Sequence, residues 1–150
     1  MKKILTVLFC VGLLFITGCG KKEENLTYTN KEIIEKIYVG LEGNLPMLGE
    51  MEITDENLSY YLGVESLDYK EALASEPMMG SIAHSIVVVR MNEGADIEKA
   101  KQEIKEKVDP RKWICVEAES VFVESKGDVI ILIMSNKETA ETIKTNFENL

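Results

Sequence analysis

The sequence is poor in the residues from which small proteins build disulfide scaffolds and metal sites. Of 150 residues, 3 are cysteine and 1 is histidine. Three cysteines cannot form a disulfide-rich scaffold, and a single histidine without an HExxH motif or a cysteine cluster does not indicate a zinc site. We therefore expect no metal site and no cofactor.

Basic residues are also scarce. The chain has 17 Lys and Arg against 26 Asp and Glu, for a net charge of −9, and no cluster of basic residues. This acidic balance disfavours nucleic-acid binding. Residues 1–18 hold Lys2 and Lys3 and no acidic residue, so the remainder of the chain has a net charge of −11.

Sequence motifs of common catalytic sites are missing. The chain contains no GxSxG, SxxK, GxxxxGK[ST] or GxGxxG pattern, so neither nucleophilic nor nucleotide-dependent catalysis is indicated. The hydrophobic content of 45% excludes wholesale disorder, and the length is typical of one domain.

The longest hydrophobic run lies at the N-terminus, and it is too short to span a membrane as a helix. It extends from Ile4 to Ile16 after Lys2 and Lys3. As a helix this run would be about 20 Å long, less than the ~30 Å hydrocarbon core of a bilayer. The pattern therefore predicts a secretory signal peptide over residues 1–18.

The end of this segment resembles the bacterial lipobox, because Ile16-Thr17-Gly18-Cys19 directly follows the apolar run. The resemblance implies cleavage after Gly18 and acylation of Cys19. Residues 19–28 would then form a polar, lipidated tether at the extracytoplasmic face of the cell membrane. The alternative is a plain signal peptide in which Cys19 is incidental.

Residues 29–150 read as a single α+β domain. Capping signals predict helices after Thr29, Asp96 and Ser135, and a short helix is expected between Asp55 and Gly63. Strands are predicted over three apolar stretches: Ile82–Met91, Trp113–Glu124 and Val129–Met134. Residues 44–69 are not placed beyond that short helix, and the segment from Tyr69 to Ser75 is compatible with a strand or a helix.

The predicted fold is a small, mainly antiparallel sheet of three to four strands with helices packed on one face. A signal peptide and an N-terminal helix precede it. If Tyr69 to Ser75 forms a strand, the C-terminal half consists of two ββα units. The two strands on either side of Lys126-Gly127 are expected to form a hairpin.

Two apolar pairs are weak candidates for partner contacts. Met78 and Met79 could form an adaptable hydrophobic surface, and Tyr60 and Tyr61 an aromatic one. The same residues could instead fill the core. Packing in the core is the favoured interpretation for both pairs.

Other chemistry-bearing residues have ordinary structural interpretations. His84 could be a base or a ligand, but a strand residue that faces solvent or donates a hydrogen bond is favoured. Glu117 and Glu119 would share one strand face, which is typical of a solvated sheet rather than of an acid pair. Cys115 lies in an apolar run and is expected to be a buried, inert thiol.

The stretch from about Tyr60 to Leu150 is similar to a family of small lipoproteins of low-GC Gram-positive bacteria that carry a domain of unknown function. The features that carry the resemblance are Leu62-Gly63-Val64, Met78-Met79 before Ile86–Val89, the charged helix Ile97–Val108, Lys126-Gly127-Asp128 before Val129–Met134, and the closing helix. The chain departs from the family at Asp109–Trp113, where the spacer is shortened and Trp113 takes the place of a tyrosine. The resemblance implies a location and a domain type but no activity.

The expected function is that of a non-enzymatic binding or interaction domain in the cell envelope. Its partners would be the membrane, through Cys19, and an envelope protein or peptide, while the oligomeric state is left open. The alternative is a carboxylate-dependent enzyme that acts on a cell-wall component. That enzyme would need two acidic side chains about 5–9.5 Å apart in a cleft.

Overall fold

A computed structural model describes residues 24–150 of the chain. The predicted signal peptide, the cleavage site after Gly18 and the predicted lipid site Cys19 lie outside these residues. Among the helices of residues 24–150, none is both long and apolar enough to cross a membrane.

The protein has an α+β fold, as predicted. Its elements in chain order are α1 (Asn30–Ile37), β1 (Leu48–Glu52), α2 (Leu58–Leu62), β2 (Tyr69–Pro77), β3 (Ser85–Met91), α3 (Ile97–Lys107), β4 (Ser120–Lys126), β5 (Val129–Ser135) and α4 (Lys137–Glu148). The strands form one sheet of 5 strands in the order β1-β2-β3-β5-β4. Every neighbouring pair is antiparallel.

The strand count exceeds the three to four strands that were predicted. The segment from Tyr69 is a strand, so β2-β3-α3 and β4-β5-α4 form the two expected ββα units. The additional strand is β1, which lies in the part of the sequence that was not placed. Among the strands of residues 24–150 it pairs with β2 alone and forms one edge of the sheet.

Helices cover both faces of the sheet, so the prediction that they pack on one face is wrong. On one face, Leu62 of α2 and Ile104 of α3 pack with Val87 of β3. On the other face, Ile33 of α1 and Phe147 of α4 pack with strand residues from the alternate positions, among them Ile86, Val88, Ile131 and Ile133. Because β3 and β5 carry apolar side chains at consecutive positions, both faces of the central strands must be buried.

The helix starts at Thr29 and Asp96 agree with their capping signals, whereas the cap of α4 is Asn136, one residue after the predicted Ser135. Thr29 caps α1 with a complete capping box that includes Glu32. The Asp96 carboxylate accepts a hydrogen bond from the Lys99 amide at the start of α3, and Asn136 caps α4 in the same way. These caps satisfy backbone N–H groups that a helix start leaves without partners.

Residues 113–119 form a loop, so the predicted strand Trp113–Glu124 is correct only from Ser120 onward. The loop closes through a hydrogen bond of 2.9 Å from the Ala118 amide to the Pro110 carbonyl. Cys115 is exposed and has a φ of 63°, a left-handed conformation that interrupts any strand. The expectation of a buried Cys115 thiol is therefore wrong; Trp113 and Ala118 are the buried residues of this run, and Val116 packs partly against the core.

Candidate functional site

The sheet has two ends with different chemistry. At the first, which we call the methionine end, β2 stops at Pro77 and β3 starts at Ser85. At the second, which we call the arginine end, β3 finishes beside Arg90 and the turn at Gly127 joins β4 to β5. At each end, polar residues that are far apart in the sequence lie close together.

A buried ion pair lies at the methionine end, on the face that α2 and α3 cover. We call it, with the side chains around it, the lysine cluster; its members are Tyr60, Tyr61, Glu76, Ser85, Lys112 and Trp113. The Lys112 ammonium donates to the Glu76 carboxylate and, at 3.2 Å, to the Ser85 hydroxyl oxygen. The Ser85 hydroxyl donates to the same carboxylate at 2.5 Å. The Lys112 side chain is only 4% exposed.

Aromatic rings surround the ammonium of the lysine cluster. The Lys112 Nζ atom lies 4.8 Å from the ring centroid of Tyr60, 4.7 Å from that of Tyr61 and 5.4 Å from that of Trp113. These distances are within the range of cation–π attraction. The two tyrosines also contact each other edge to face, with centroids 4.9 Å apart.

The protonation chemistry of the cluster follows from burial. Removal from water lowers the pKa of Lys112, and the Glu76 carboxylate opposes that shift by stabilising the charged form. A serine hydroxyl beside a lysine of lowered pKa has the composition of a nucleophile and its base. Ser85, however, is fully buried and its hydroxyl donates a hydrogen bond to Glu76, so no substrate reaches it in this arrangement. The cluster acts as an internal ion pair.

A neutral hydrogen-bond network lies at the same end but on the opposite face. We call it the histidine network; its members are Tyr38, Ser75, His84 and Ser135. His84 Nδ1 lies 2.9 Å from the Ser135 hydroxyl oxygen, and His84 Nε2 lies 3.0 Å from the Tyr38 hydroxyl oxygen. The Tyr38 hydroxyl donates to Ser75 at 3.0 Å. Both imidazole nitrogens of His84 are therefore occupied.

Burial sets the charge state of this network. His84 is 2% exposed, and burial lowers the pKa of His84 to about 4. Burial also raises the pKa of Tyr38 above its ordinary value. Of the two roles predicted for His84, the hydrogen-bonding role agrees with this geometry and the solvent-facing role is wrong; His84 lies directly before β3 rather than within a strand. Within residues 24–150, no group of His, Cys, Asp and Glu side chains has the arrangement of a metal site.

The exposed apolar residues also gather at the methionine end. Met47, Met78 and Met79 are 77%, 70% and 63% exposed, and Tyr60 is 52% exposed. The core interpretation is correct for Tyr61, which is buried, but wrong for Tyr60, Met78 and Met79. A hydrogen bond of 3.0 Å from the Met78 amide to the Met47 carbonyl joins two of the exposed segments.

The methionines border the lysine cluster along β1. Gly49 pairs with Glu76, and Met51 pairs with Ala74. The Met78 side chain lies over Gly49, since its Cγ is 3.7 Å from the position that a Cβ of residue 49 would take. Met51 is 52% exposed and projects from the same face as Gly49. We call Met47, Met51, Met78 and Met79 together the methionine surface.

The carboxylates considered for acid–base chemistry are exposed and engaged elsewhere. Glu117 lies 3.8 Å from the Arg111 guanidinium. Glu119 accepts a hydrogen bond of 3.0 Å from the Lys137 amide at the start of α4. Both belong to the loop before β4 rather than to a strand face, so the predicted alternation on one strand is wrong.

An arginine clamp holds the first described residues at the arginine end, and no sequence motif indicated it. The Arg90 guanidinium donates to both Asp128 carboxylate oxygens at 2.9 Å, to the Leu26 carbonyl at 3.1 Å and to the Tyr28 carbonyl. The Arg90 side chain is 11% exposed. Leu26 and Tyr28, at the end of the predicted tether, pack against the core shared by α1 and α4.

Gly127 makes room for the same segment. A Cβ at residue 127 would lie 2.7 Å from the Asn25 Cα and the Glu24 carbonyl oxygen, and Gly127 has a φ of 58°. A larger residue would therefore displace the chain that leads toward the N-terminus. Gly127 and Asp128 also belong to the features that carry the family resemblance.

Comparisons with known proteins give one match. Residues 43–135 match the family model described as "Domain of unknown function (DUF4358)". No curated protein and no solved structure matches the chain.

Proposed function

We propose that this chain, which belongs to the DUF4358 family, is a non-enzymatic binding domain of the cell envelope. A lipid on Cys19, the first residue after cleavage at Gly18, would hold it at the extracytoplasmic face of the cell membrane. The methionine end would then face away from the membrane and contact a protein partner. The observation that carries this proposal is the separation of the arginine clamp and the methionine surface on opposite ends of one sheet.

Chain geometry supports this orientation. Five residue steps separate Cys19 from Glu24, and they span at most about 18 Å. The Arg90 clamp fixes Leu26 and Tyr28 at the arginine end, so this end would be held near the lipid. The 7 residues of β3 extend about 20 Å toward the methionine end. A net charge of −11 outside the signal peptide would keep the domain off an anionic bilayer.

The exposed methionines support a binding role. Methionine side chains are flexible and polarizable, and they occur on surfaces that adapt to protein partners. An exposed apolar patch rimmed by polar residues is typical of an interaction site. Glu50 and Glu52, the sequence neighbours of Met51, project from the other face of β1 and leave the methionine surface apolar.

The alternative of a carboxylate-dependent enzyme has less support. Glu117 and Glu119 are exposed and engaged with Arg111 and with the Lys137 amide. Within the lysine cluster the buried polar groups hydrogen-bond to one another, and the same is true within the histidine network. Both sets of buried groups are closed to substrate. A binding role uses the exposed surface instead.

Membrane fractionation tests the anchor. The unmodified protein should sediment with membranes, and the Cys19→Ala variant should appear in the soluble extracytoplasmic fraction. Cys115→Ala, a control that removes the other cysteine outside the signal peptide, should remain with membranes. Retention of Cys19→Ala at the level of the unmodified protein would contradict the lipid anchor.

Position-specific photocrosslinking in intact cells tests the binding surface. A photoreactive amino acid at Met79 should give a discrete crosslinked protein band. The same amino acid at Glu141, on the exposed side of α4 away from β1, is the control and should give none. Equal crosslinking from both positions, or none from Met79, would contradict a binding surface at the methionine end.

A further inference from the structure

We infer that the free edge of β1 binds an extended, basic segment of a protein partner, which adds to the sheet as a sixth strand. This inference rests on the proposed function and specifies the chemistry of the partner. It follows from three observations at β1: backbone groups that no segment of residues 24–150 pairs with, an apolar row on one face and carboxylates on the other.

The backbone of β1 presents hydrogen-bonding groups away from the sheet. The Met47 carbonyl accepts from the Met78 amide, and the Ile53 amide donates to the Ala72 carbonyl, each at 3.0 Å. Odd-numbered residues of this stretch therefore point their N–H and C=O groups at β2. The N–H and C=O groups of Leu48 and Glu50 point outward, and within residues 24–150 no other segment pairs with them.

The opposite edge of the sheet is different. β4 contacts both α3 and α4, and α4 and its C-terminus supply partners to its side chains. Lys126 donates to the Glu148 and Leu150 carbonyls, and Glu124 pairs with Lys144. In the described part of the chain, β2 is the element with which β1 makes extensive contacts. An exposed edge of this kind is a template for another strand.

The two faces of β1 specify the side chains of the incoming strand. Met51, Gly49 and the overlying Met78 give an apolar row on the face of the lysine cluster. Glu50 and Glu52 project from the other face, where Lys31 approaches Glu50 at 3.2 Å. A partner strand that matches both faces alternates apolar residues with lysine or arginine.

A second copy of this chain does not fit the same edge. Antiparallel pairing of two β1 strands about Glu50 would set the two Glu50 carboxylates directly opposite each other, and like charges in that position are destabilising. The net charge of −11 outside the signal peptide adds further repulsion. Charge complementarity therefore favours a basic partner over self-association.

Nuclear magnetic resonance can test the strand addition on the full-length protein in a mild detergent. The probe is a capped heptapeptide of alternating lysine and valine. Its addition should shift the backbone amide signals of Leu48 and Glu50 and slow their hydrogen exchange, because these N–H groups become donors to the peptide. A peptide N-methylated on the residues whose N–H groups face β1 should not bind, and a peptide of alternating glutamate and valine should bind far more weakly.

Two variants separate the backbone contribution from the charge contribution. Glu50→Pro removes an outward N–H group but no donor to β2, and it should abolish binding of the lysine–valine peptide. Glu50→Lys with Glu52→Lys should weaken binding about tenfold, the effect of roughly 1.4 kcal/mol. Glu138→Lys with Glu141→Lys makes the same change of charge on α4. At high ionic strength, where both double variants are measured, it should leave the affinity for the lysine–valine peptide within about twofold.

The outcomes distinguish the inference from the proposed function. If the peptide leaves the Leu48 and Glu50 amides unchanged, or binds equally well when N-methylated, strand addition at β1 is wrong. Crosslinks from Met79 in cells would then still support a binding domain whose partner uses side chains only. If the Met79 crosslinks are also absent, the proposed function fails as well.

Discussion

The lysine cluster and the histidine network occupy the same end of the sheet, but the buried polar groups are charged in the first and neutral in the second. Ser75 and Glu76 are neighbours on β2, and His84 and Ser85 are neighbours at the start of β3, so strand alternation sends one of each pair to each face. On one face the result is a charged pair, Lys112 with Glu76. On the other face the result is a neutral imidazole among hydroxyl groups.

The difference shows what a buried charge requires. The Lys112 ammonium keeps a carboxylate, a hydroxyl oxygen and three ring faces as partners, which together replace its hydration. His84 has hydroxyl groups and no carboxylate, and burial lowers the pKa of His84 to about 4. The charged cluster is therefore held by electrostatics and the neutral network by hydrogen bonds, and each should fail under different conditions.

Removal of the carboxylate should have the largest effect on stability. Glu76→Gln leaves the Lys112 ammonium buried without a counter-charge, and we expect the free energy of unfolding to fall by about 3–5 kcal/mol. Urea denaturation at pH 7 measures this change. Without the Glu76 charge, the effect of burial is opposed less strongly in the variant, so the pKa of Lys112 falls further. The loss of stability should therefore diminish as the pH rises toward the ordinary pKa of lysine, 10.5, because Lys112 then loses its proton in the folded variant.

The double variant Glu76→Gln with Lys112→Met is the control for this prediction. It removes both charges and should recover a large part of the lost stability. Equal destabilisation of the single and double variants would mean that Glu76 acts through packing rather than through charge.

Mild acid should selectively destabilise the face that holds the histidine network. Burial lowers the pKa of His84 from 6.5 to about 4. Between these values the unfolded chain binds a proton that the folded protein excludes. Stability should therefore decrease as the pH falls from about 6.5 to about 4, by roughly 3 kcal/mol in total. Urea midpoints measured from pH 7.5 to pH 4.5 follow this loss.

His84→Gln separates this effect from the titration of carboxylates. The variant is expected to be less stable than the unmodified protein at pH 7 and to lose less stability on acidification. The difference between the two proteins should thus narrow as the pH falls. A constant difference across the range would show that His84 does not account for the acid sensitivity.

The sequence predicts the elements better than it predicts the clusters. The caps at Thr29 and Asp96 mark real helix starts, because a cap is a local interaction within four residues. Unbroken apolar runs in β3 and β5 also indicate that both faces of these strands are buried, since a strand with one wet face alternates. β1 has only a short local signal, the alternation of Glu50, Met51 and Glu52, and it is a strand through its pairing with β2.

The functional geometry depends on contacts between distant parts of the chain. Tyr60, Glu76 and Lys112 share no spacing that a helix or strand would explain, and only the fold brings them together. The Arg90 clamp likewise joins a strand to carbonyl groups more than 60 residues earlier. Backbone carbonyls as partners leave no pattern of residue types in a sequence.

Loss of the Tyr38 hydroxyl, which contacts both Ser75 and His84, should reduce stability less than loss of the Glu76 carboxylate. Tyr38→Phe removes the donor to Ser75 and the partner of His84 Nε2, and it leaves two buried polar groups without that contact. We expect a loss of about 2 kcal/mol at pH 7, measured by urea denaturation. The control Tyr28→Phe changes a tyrosine whose backbone carbonyl, rather than its hydroxyl, makes the contact to Arg90, and it should be close to neutral.

Removal of one ring from the lysine cluster should have the smallest effect. Tyr60→Leu abolishes a cation–π contact with Lys112 at 4.8 Å and the edge-to-face contact with Tyr61, while the carboxylate of Glu76 remains. Because Tyr60 is half exposed, the expected loss is about 0.5–1 kcal/mol in urea denaturation. Tyr60→Phe keeps the ring and should be nearly neutral. If Tyr60→Phe and Tyr60→Leu are equally destabilising, the ring face does not stabilise the ammonium, and the charged cluster depends on Glu76 and Ser85 alone.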